Sequence, residues 1–304
     1  MRALVVTPEA PGRLALGEVP EPVPGPDEVL VRVAAVSLNR GEVLRAQRAE
    51  PGLVLGWDAA GTVVRAAASG RGPAAGTRVV TRGPAGGWAE LRAVPVDELA
   101  VVPEGVDLAA AAALPVAGVT ALRALRVCGS VLGRRVLITG ASGGVGRFAV
   151  QLARRAGAHV IAVVGSPARG AGLRELGADE VVVGIEGVQG PVDAVLETVG
   201  GPTLAAAYRL LAPGGIVVSI GAASGEPTVF PPGSTIGPRR TLVSFQMGYE
   251  GGPVGADLAY LVGLLAAGAL DPQIAWRGSW ERAGEAVQAL LNRQVNGKAV
   301  LTIP

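Results

Sequence analysis

The feature that most limits the fold is the stretch RRVLITGASGGVGRFAVQLARRAG at residues 134–157. An apolar run rich in strand formers turns through glycines directly into a helix-forming segment, expected from about Gly144 to Ala156. The alternation then continues: HVIAVV, a helix expected around Ala168 to Leu176, EVVV, VDAVLE, a helix over Thr203 to Leu211, GIVVSIG and TLVSFQM. Strands alternating with helices of this length need crossover connections, and those build parallel βαβ units. The expectation is an α/β chain whose middle part is a doubly wound sheet of six parallel strands.

The glycine-rich turn also has a chemical meaning. It opens a helix, where unpaired backbone N–H groups and the helix dipole favour a phosphate. Gly143 lets backbone approach a pyrophosphate and Gly146 lets helix pack on strand, so Ser142, Gly143, Gly144, Val145 and Gly146 are candidate phosphate-binding residues. Ala141 stands where the first fingerprint glycine would be. In a chain with 46 glycines such a motif alone is weak. The strand before it, the helix after it and the further strands make it a Rossmann-type dinucleotide-binding domain. An acid at the end of the second strand would bind the ribose hydroxyls of NAD, and none is there. HVIAVV runs instead into GSPARG, offering Ser166 and Arg169 to a 2′-phosphate, which favours NADPH. The alternative for Arg169 is a solvated residue on the next helix.

The rest of the chain reads differently. Its first hundred residues are short Val, Leu and Ala runs punctuated by Gly and Pro, an irregular all-β pattern. From Leu108 an alanine-rich, helix-favouring segment broken by Pro115 follows. The C-terminal stretch shows an amphipathic helix near Trp280 to Asn292 and a final strand, KAVLTI, expected to return to the first domain. With 304 residues and 49% apolar content, two domains are expected. Their ranges are 1–112 with 250–304, and 113–249.

Several classes are disfavoured on composition. Cys128 is the single cysteine and His159 the single histidine, which excludes intrachain disulfides and clusters of several cysteines on zinc. A formal charge of +2 with scattered arginines and 3% aromatics argues against nucleic-acid binding. Gly, Pro and charged residues interrupt every apolar stretch before it reaches the length of a membrane span, and the N-terminus lacks a signal-peptide pattern. A cytoplasmic protein without membrane partners is expected.

Taken in order, the opening RALVV, PGPDEVLVRV, SLNRGE, PGLVLGWDAAGTVV, GGWAEL, VAGVTAL, GASGGVG, ELGADEVV, LLAPGGIVVSIG and GKAVL cover nearly the whole chain. This order resembles the medium-chain dehydrogenase/reductase superfamily, specifically its zinc-free quinone oxidoreductase branch. The resemblance implies a GroES-like β-rich catalytic domain built from both chain ends, a Rossmann domain inserted between them, and an active cleft at their junction. Where zinc-dependent relatives carry a cysteine and a Gly-His-Glu motif, this chain has SLNRGE and Gly56-Trp57-Asp58, so no metal site is expected.

The resemblance implies hydride transfer to an already electrophilic small molecule, a quinone or an α,β-unsaturated carbonyl. Asn39 matches the family's asparagine near the nicotinamide. Glu42, where many relatives carry aspartate, either orients Asn39 or opens a helix. Thr120 matches a position beside the nicotinamide ribose; Val199, Gly221, Ala222, Phe245 and Met247 match the cofactor pocket, with core packing the alternative for Phe245. Lys298, the only lysine, either reaches the cofactor or serves at the surface. Family enoyl thioester reductases use an early tyrosine as proton donor, and none occurs here before Tyr208. Other readings are a specialised natural-product pathway reductase and a nonenzymatic NADPH-binding sensor or structural protein. TLVSFQM, an apolar edge, implies a homodimer through the sixth strand.

Overall fold

The computed structural model describes residues 1–249 and 251–304. The chain divides into two compact units, residues 1–119 with 253–304, and residues 120–252. The first division lies inside a continuous helix, a few residues beyond the expected 112/113. The expected boundary at Glu250 lies outside the described residues.

In the first unit, β1 (Arg2–Val6) and β2 (Leu14–Glu18) form an antiparallel pair. The long strand β3 (Glu28–Leu38) is rich in valine, which suits the pleated surface, and leads directly into α1 (Arg40–Ala46). Then come β4 (Asp58–Arg65), β5 (Arg78–Arg82), β6 (Leu91–Pro95) and β7 (Leu99–Val101), which form antiparallel pairs β3 with β4 and β6, β4 with β5, and β5 with β7. Two helices follow, α2 (Leu108–Ala112) and α3 (Pro115–Val127). Pro115 sits at the start of α3, where its missing N–H costs no helical hydrogen bond.

The second unit contains β8 (Arg135–Ile138), α4 (Gly144–Arg155), β9 (His159–Val164), β10 (Glu180–Val183), β11 (Val192–Glu197), α5 (Gly201–Leu210), β12 (Leu211–Ser219) and β13 (Thr241–Ser244). Its six strands run in the order β10-β9-β8-β11-β12-β13, all parallel. The order reverses between β8 and β11, and in such sheets ligands bind outside the carboxyl ends of the strands at that reversal. Leu137, Ile161, Val195 and Val217 from the strands pack with Leu204 and Tyr208 of α5. Burial of each such side chain stabilises the unit by roughly 2 kcal/mol.

Two local expectations are corrected here. The helix expected over Ala168 to Leu176 is only a 3-10 turn at Pro167–Gly170 followed by further turns. Gly170 and Gly172 remove the helix propensity of the segment. The sixth strand covers four residues, Thr241–Ser244, so Phe245 and Met247 lie beyond it.

The chain then returns to the first unit through α6 (Gly255–Ala266), β14 (Ile274–Ser279), α7 (Ala283–Leu291) and β15 (Lys298–Thr302). The final strand pairs with β3, as the sequence implied, and with β14. Helix α6 and strand β14 were not foreseen; α6 is apolar around most of its circumference and lacks the stripe that marks a surface helix. Leu4, Leu38, Leu55, Trp88, Trp280 and Val287 share one core in this unit. Among the described residues no helix is long and apolar enough to cross a membrane.

Candidate active site

Three distant parts of the sequence meet at the end of β3. Antiparallel pairing sets Asp58 opposite Ser37 and Ala299 opposite Leu38. Asn39, the next residue after β3, is therefore flanked by Asp58 at the start of β4 and Lys298 at the start of β15. Glu42 arrives from the first turn of α1. Glu42, Asp58 and Lys298 are almost completely buried, and Asn39 is 9% exposed.

The polar atoms of Asn39 are nearly all engaged. Its Oδ1 accepts from Lys298 Nζ at 2.6 Å. Its Nδ2 donates to Glu42 Oε1 at 3.0 Å and to Asp58 Oδ2 at 2.8 Å. Both amide protons are thus used within the cluster, leaving acceptor capacity on Oδ1 as what the side chain can offer a ligand. Glu42 also accepts the backbone N–H groups of Asn39 and Trp57, each at 2.7 Å. It therefore orients Asn39 and stabilises the helix start, so the two alternatives for it are one arrangement. Asp58 Oδ1 accepts the Val116 N–H at 3.0 Å, in the first turn of α3.

Lys298 Nζ donates to the Leu38 carbonyl at 3.3 Å and lies 3.6 Å from Asp58 Oδ2. With 2% exposure, the surface alternative for this residue is overturned. Buried Arg92 donates to Thr81 Oγ1 and to the Gly56 and Ala85 carbonyls. Burial and the neighbouring Asp58 charge push the Glu42 carboxyl up to about 8. Burial also raises Asp58 and lowers Lys298, and it brings Arg92 down to about 10. Sequence reasoning missed Asp58 and Arg92 as parts of this cluster. An acid and an arginine at the ends of otherwise apolar strands were the available signal.

In the second unit, the turn between β8 and α4 brings its glycines onto the start of the helix. Gly140 adopts φ +58 and supplies the sharp turn that Ala141 does not. A Cβ on Gly146 would lie 2.5 Å from the Gly140 carbonyl oxygen, so only glycine allows the helix so close to the strand. Gly143 is the N-cap of α4, and Gly144, Val145 and Gly146 occupy its first turn, where N–H groups lack helical acceptors. Arg169 is half-buried with Nη1 3.4 Å from Ser142 Oγ, which joins the segment after β9 to the glycine-rich turn. Arg169 lies in the 3-10 turn rather than on an α-helix and is only partly exposed. Ser166 is the N-cap of the 3-10 turn. Arg147, not foreseen, spans the same two segments by bonding the Ser142 and Ala171 carbonyls.

The remaining candidates are more scattered. Thr120 is buried within α3. Val199 and Gly221 are half-buried and Ala222 is exposed, in the loops after β11 and β12. Phe245 and Met247 are buried; the Phe245 N–H bonds the Ser219 carbonyl, and Arg123 bonds the Met247 carbonyl. His159 lies at the start of β9, paired with Glu180 at 2.7 Å. Among the described residues no group of three or more His, Cys, Asp and Glu side chains is placed to hold a metal.

A parallel strand order with its reversal beside a glycine-rich helix start is the architecture of a doubly wound, Rossmann-type domain. Comparison with known proteins gives the family. The alcohol dehydrogenase GroES-like domain model matches residues 25–104, and the zinc-binding dehydrogenase model matches residues 144–265. A quinone oxidoreductase from Pseudomonas aeruginosa is 32% identical, over 91% of this chain and 92% of its own length. Acryloyl-coenzyme A reductase from Sulfurisphaera tokodaii is 31% identical, over 73% of this chain and 77% of its own. Erythronolide synthase EryA2 from Saccharopolyspora erythraea is 36% identical over 91% of this chain, which spans only 8% of that synthase. Among solved structures, an NAD-dependent alcohol dehydrogenase superposes with TM-score 0.90 at 27% identity, each chain fully covered. Mycobacterial Rv1454c complexed with NADPH superposes with TM-score 0.87 at 26% identity, each chain again fully covered. The chain belongs to the medium-chain dehydrogenase/reductase superfamily and is an oxidoreductase.

Proposed function

We propose that the protein is a zinc-independent, NADPH-dependent reductase of quinones or other α,β-unsaturated carbonyl compounds. The observation that carries the reading is the pairing of Arg169 with Ser142 of the glycine-rich turn. It sets a guanidinium beside the phosphate-binding helix start, and residues 165–174 contain no acid that would repel a 2′-phosphate. Asn39 serves as a fixed acceptor, and Ser166 joins Arg169 around the adenosine phosphate. Val199, Gly221, Ala222, Phe245, Met247 and Thr120 line the nicotinamide side. When bound, the reduced nicotinamide supplies a hydride.

The acceptor class follows from what the residues lack and what relatives' names share. A zinc ion needs His or Cys donors with an open position. Here the matching part of the chain offers Trp57 and carboxylates already engaged by N–H donors, with the Lys298 ammonium among them, so the residues do not suit zinc. Without a Lewis acid the acceptor must already be electrophilic. Quinones and acryloyl thioesters both present a carbon–carbon double bond conjugated to a carbonyl. The EryA2 similarity favours a second reading, a reductase dedicated to one natural-product pathway. A homodimer formed edge to edge through β13, with Leu242 44% exposed, completes the proposal.

The test is a fluorescence titration with NADPH and NADH at fixed salt, followed by oxidation of NADPH on addition of 1,4-benzoquinone, with and without chelator. Preferential NADPH binding and chelator-insensitive turnover are expected. Binding of neither nucleotide would refute the reading.

A further inference from the structure

Glu197 ends β11 as a fully buried acid, whereas the strand's other acid, Asp193, is only half-buried. Parallel strands covered on both faces are apolar throughout, so this residue breaks a local rule. Its Oε1 accepts from Thr139 Oγ1 at 2.9 Å and from the N–H groups of Val199 and Gly200 at 2.9 and 3.1 Å. Its Oε2 accepts the Gly200 N–H at 2.9 Å. These donors belong to the ends of β8 and β11. Thr139 Oγ1 also accepts the Thr198 N–H, and Thr198 Oγ1 donates to the Thr139 carbonyl, each at 2.9 Å. The backbone of the same turn holds the loop after β12: the Glu197 carbonyl accepts from Ile220 and Gly221, Thr198 from Ala223, and Val199 from Ser224.

One carboxylate thus sits at the centre of the loops that end three adjacent strands, at the reversal of strand order. The loops and the charge order each other. Opening the loop would strip a buried carboxylate of its N–H donors, which is far costlier than opening a loop with no charge beneath it. Burial raises the carboxyl above its ordinary range while the Val199, Gly200 and Thr139 donors hold it down.

We propose that Glu197 is a positioning residue that fixes the 198–200 and 220–224 loops in their nucleotide-receiving form and so sets cofactor affinity without touching the cofactor. The proposal rests on the NADPH-binding reading. It differs from a purely structural role in predicting a local effect, because the donors that Glu197 orders are in the loops and the strand ladder does not depend on it. In Glu197→Gln an amide NH₂ replaces one carboxylate oxygen and must face a donor; at the Oε2 position it opposes the Gly200 N–H, which keeps only the longer of its two bonds.

The experiment compares full-length wild type, Glu197→Gln and Thr139→Val by three measurements: amide hydrogen exchange without cofactor, NADPH dissociation constant by nicotinamide fluorescence, and thermal midpoint. Expected for Glu197→Gln are faster exchange confined to 198–200 and 220–224, intact protection of β8, β11 and β12, a thermal midpoint near that of wild type, and a Kd raised on the order of tenfold. Thr139→Val, which keeps the carboxylate, should move exchange and Kd in the same direction by on the order of threefold. It decides the matter if Glu197→Gln fails to fold. Unchanged exchange in the loops, an unchanged Kd, or loss of protection across the whole sheet would overturn the proposal. If wild type binds neither nucleotide, the cofactor reading fails and with it the effect on affinity, while loop exchange still decides whether Glu197 orders the loops.

Discussion

Removing the Lys298 ammonium should destabilise the first unit severely, and the magnitude follows from what its neighbours lose. Nζ lies 2.6 Å from Asn39 Oδ1, 3.3 Å from the Leu38 carbonyl and 3.6 Å from Asp58 Oδ2, all in the interior. In Lys298→Met the chain keeps two buried acids but loses the cation beside them, leaving Asp58 with Asn39, the Val116 N–H and the more remote Arg92 charge. Breaking a buried ion pair by deleting one partner costs about 3–5 kcal/mol. Proton uptake by Asp58 limits the loss, since a neutral acid is far cheaper to bury than a lone charge, and Glu42, at about 8, already holds its proton at neutral pH. A value of about 4 kcal/mol is expected. Adding Asp58→Asn removes the stranded charge, so the double variant should be at least ~2 kcal/mol more stable than the sum of the single effects. Urea unfolding followed by tryptophan fluorescence measures this, because Trp57, Trp88, Trp276 and Trp280 all lie in the first unit. A Lys298→Met variant within about 1 kcal/mol of wild type, or an additive cycle, would refute the account of Lys298 as the cluster's compensating charge.

Glu42 gives a pH test. Its folded pKa of about 8 lies above the ordinary 4.5, so folding takes up a proton between those values. The stability tied to Glu42 is complete below the lower value and is lost as pH rises through the upper one. The wild-type minus Glu42→Gln difference should therefore fall by up to about 1.4 kcal/mol per pH unit across that window, and a flat difference would contradict the assignment. Arg169→Ala should weaken NADPH binding about 10- to 100-fold and leave NADH binding within about twofold; equal losses for both would remove the 2′-phosphate role. If the proposed homodimer forms through the exposed edge strand, wild type should sediment as a dimer and Leu242→Arg as a monomer that still binds NADPH; a wild-type monomer or an unchanged variant would refute that contact.

Local pattern was enough for the strands of the second unit. Each apolar run with its adjoining turn or helix is contiguous in sequence, and the glycine-rich turn is itself contiguous, so the six parallel strands and the glycine-rich helix start were readable before any contact was known. Local reading erred where glycine outweighed the periodicity of its neighbours, over 168–176, and where an apolar helix lacked a stripe, at α6. The first unit's cluster is of another kind. Asn39, Asp58 and Lys298 are brought together by two strand registers, and register is a pairing between segments that no single segment encodes. Sequence and resemblance marked Asn39, Glu42 and Lys298 as worth attention. Only the tertiary structure decided that Lys298 turns inward, that Asp58 completes the cluster, and that Glu197 gathers three loops. The free energy of a buried charge depends on the donors and charges that long-range pairing sets around it.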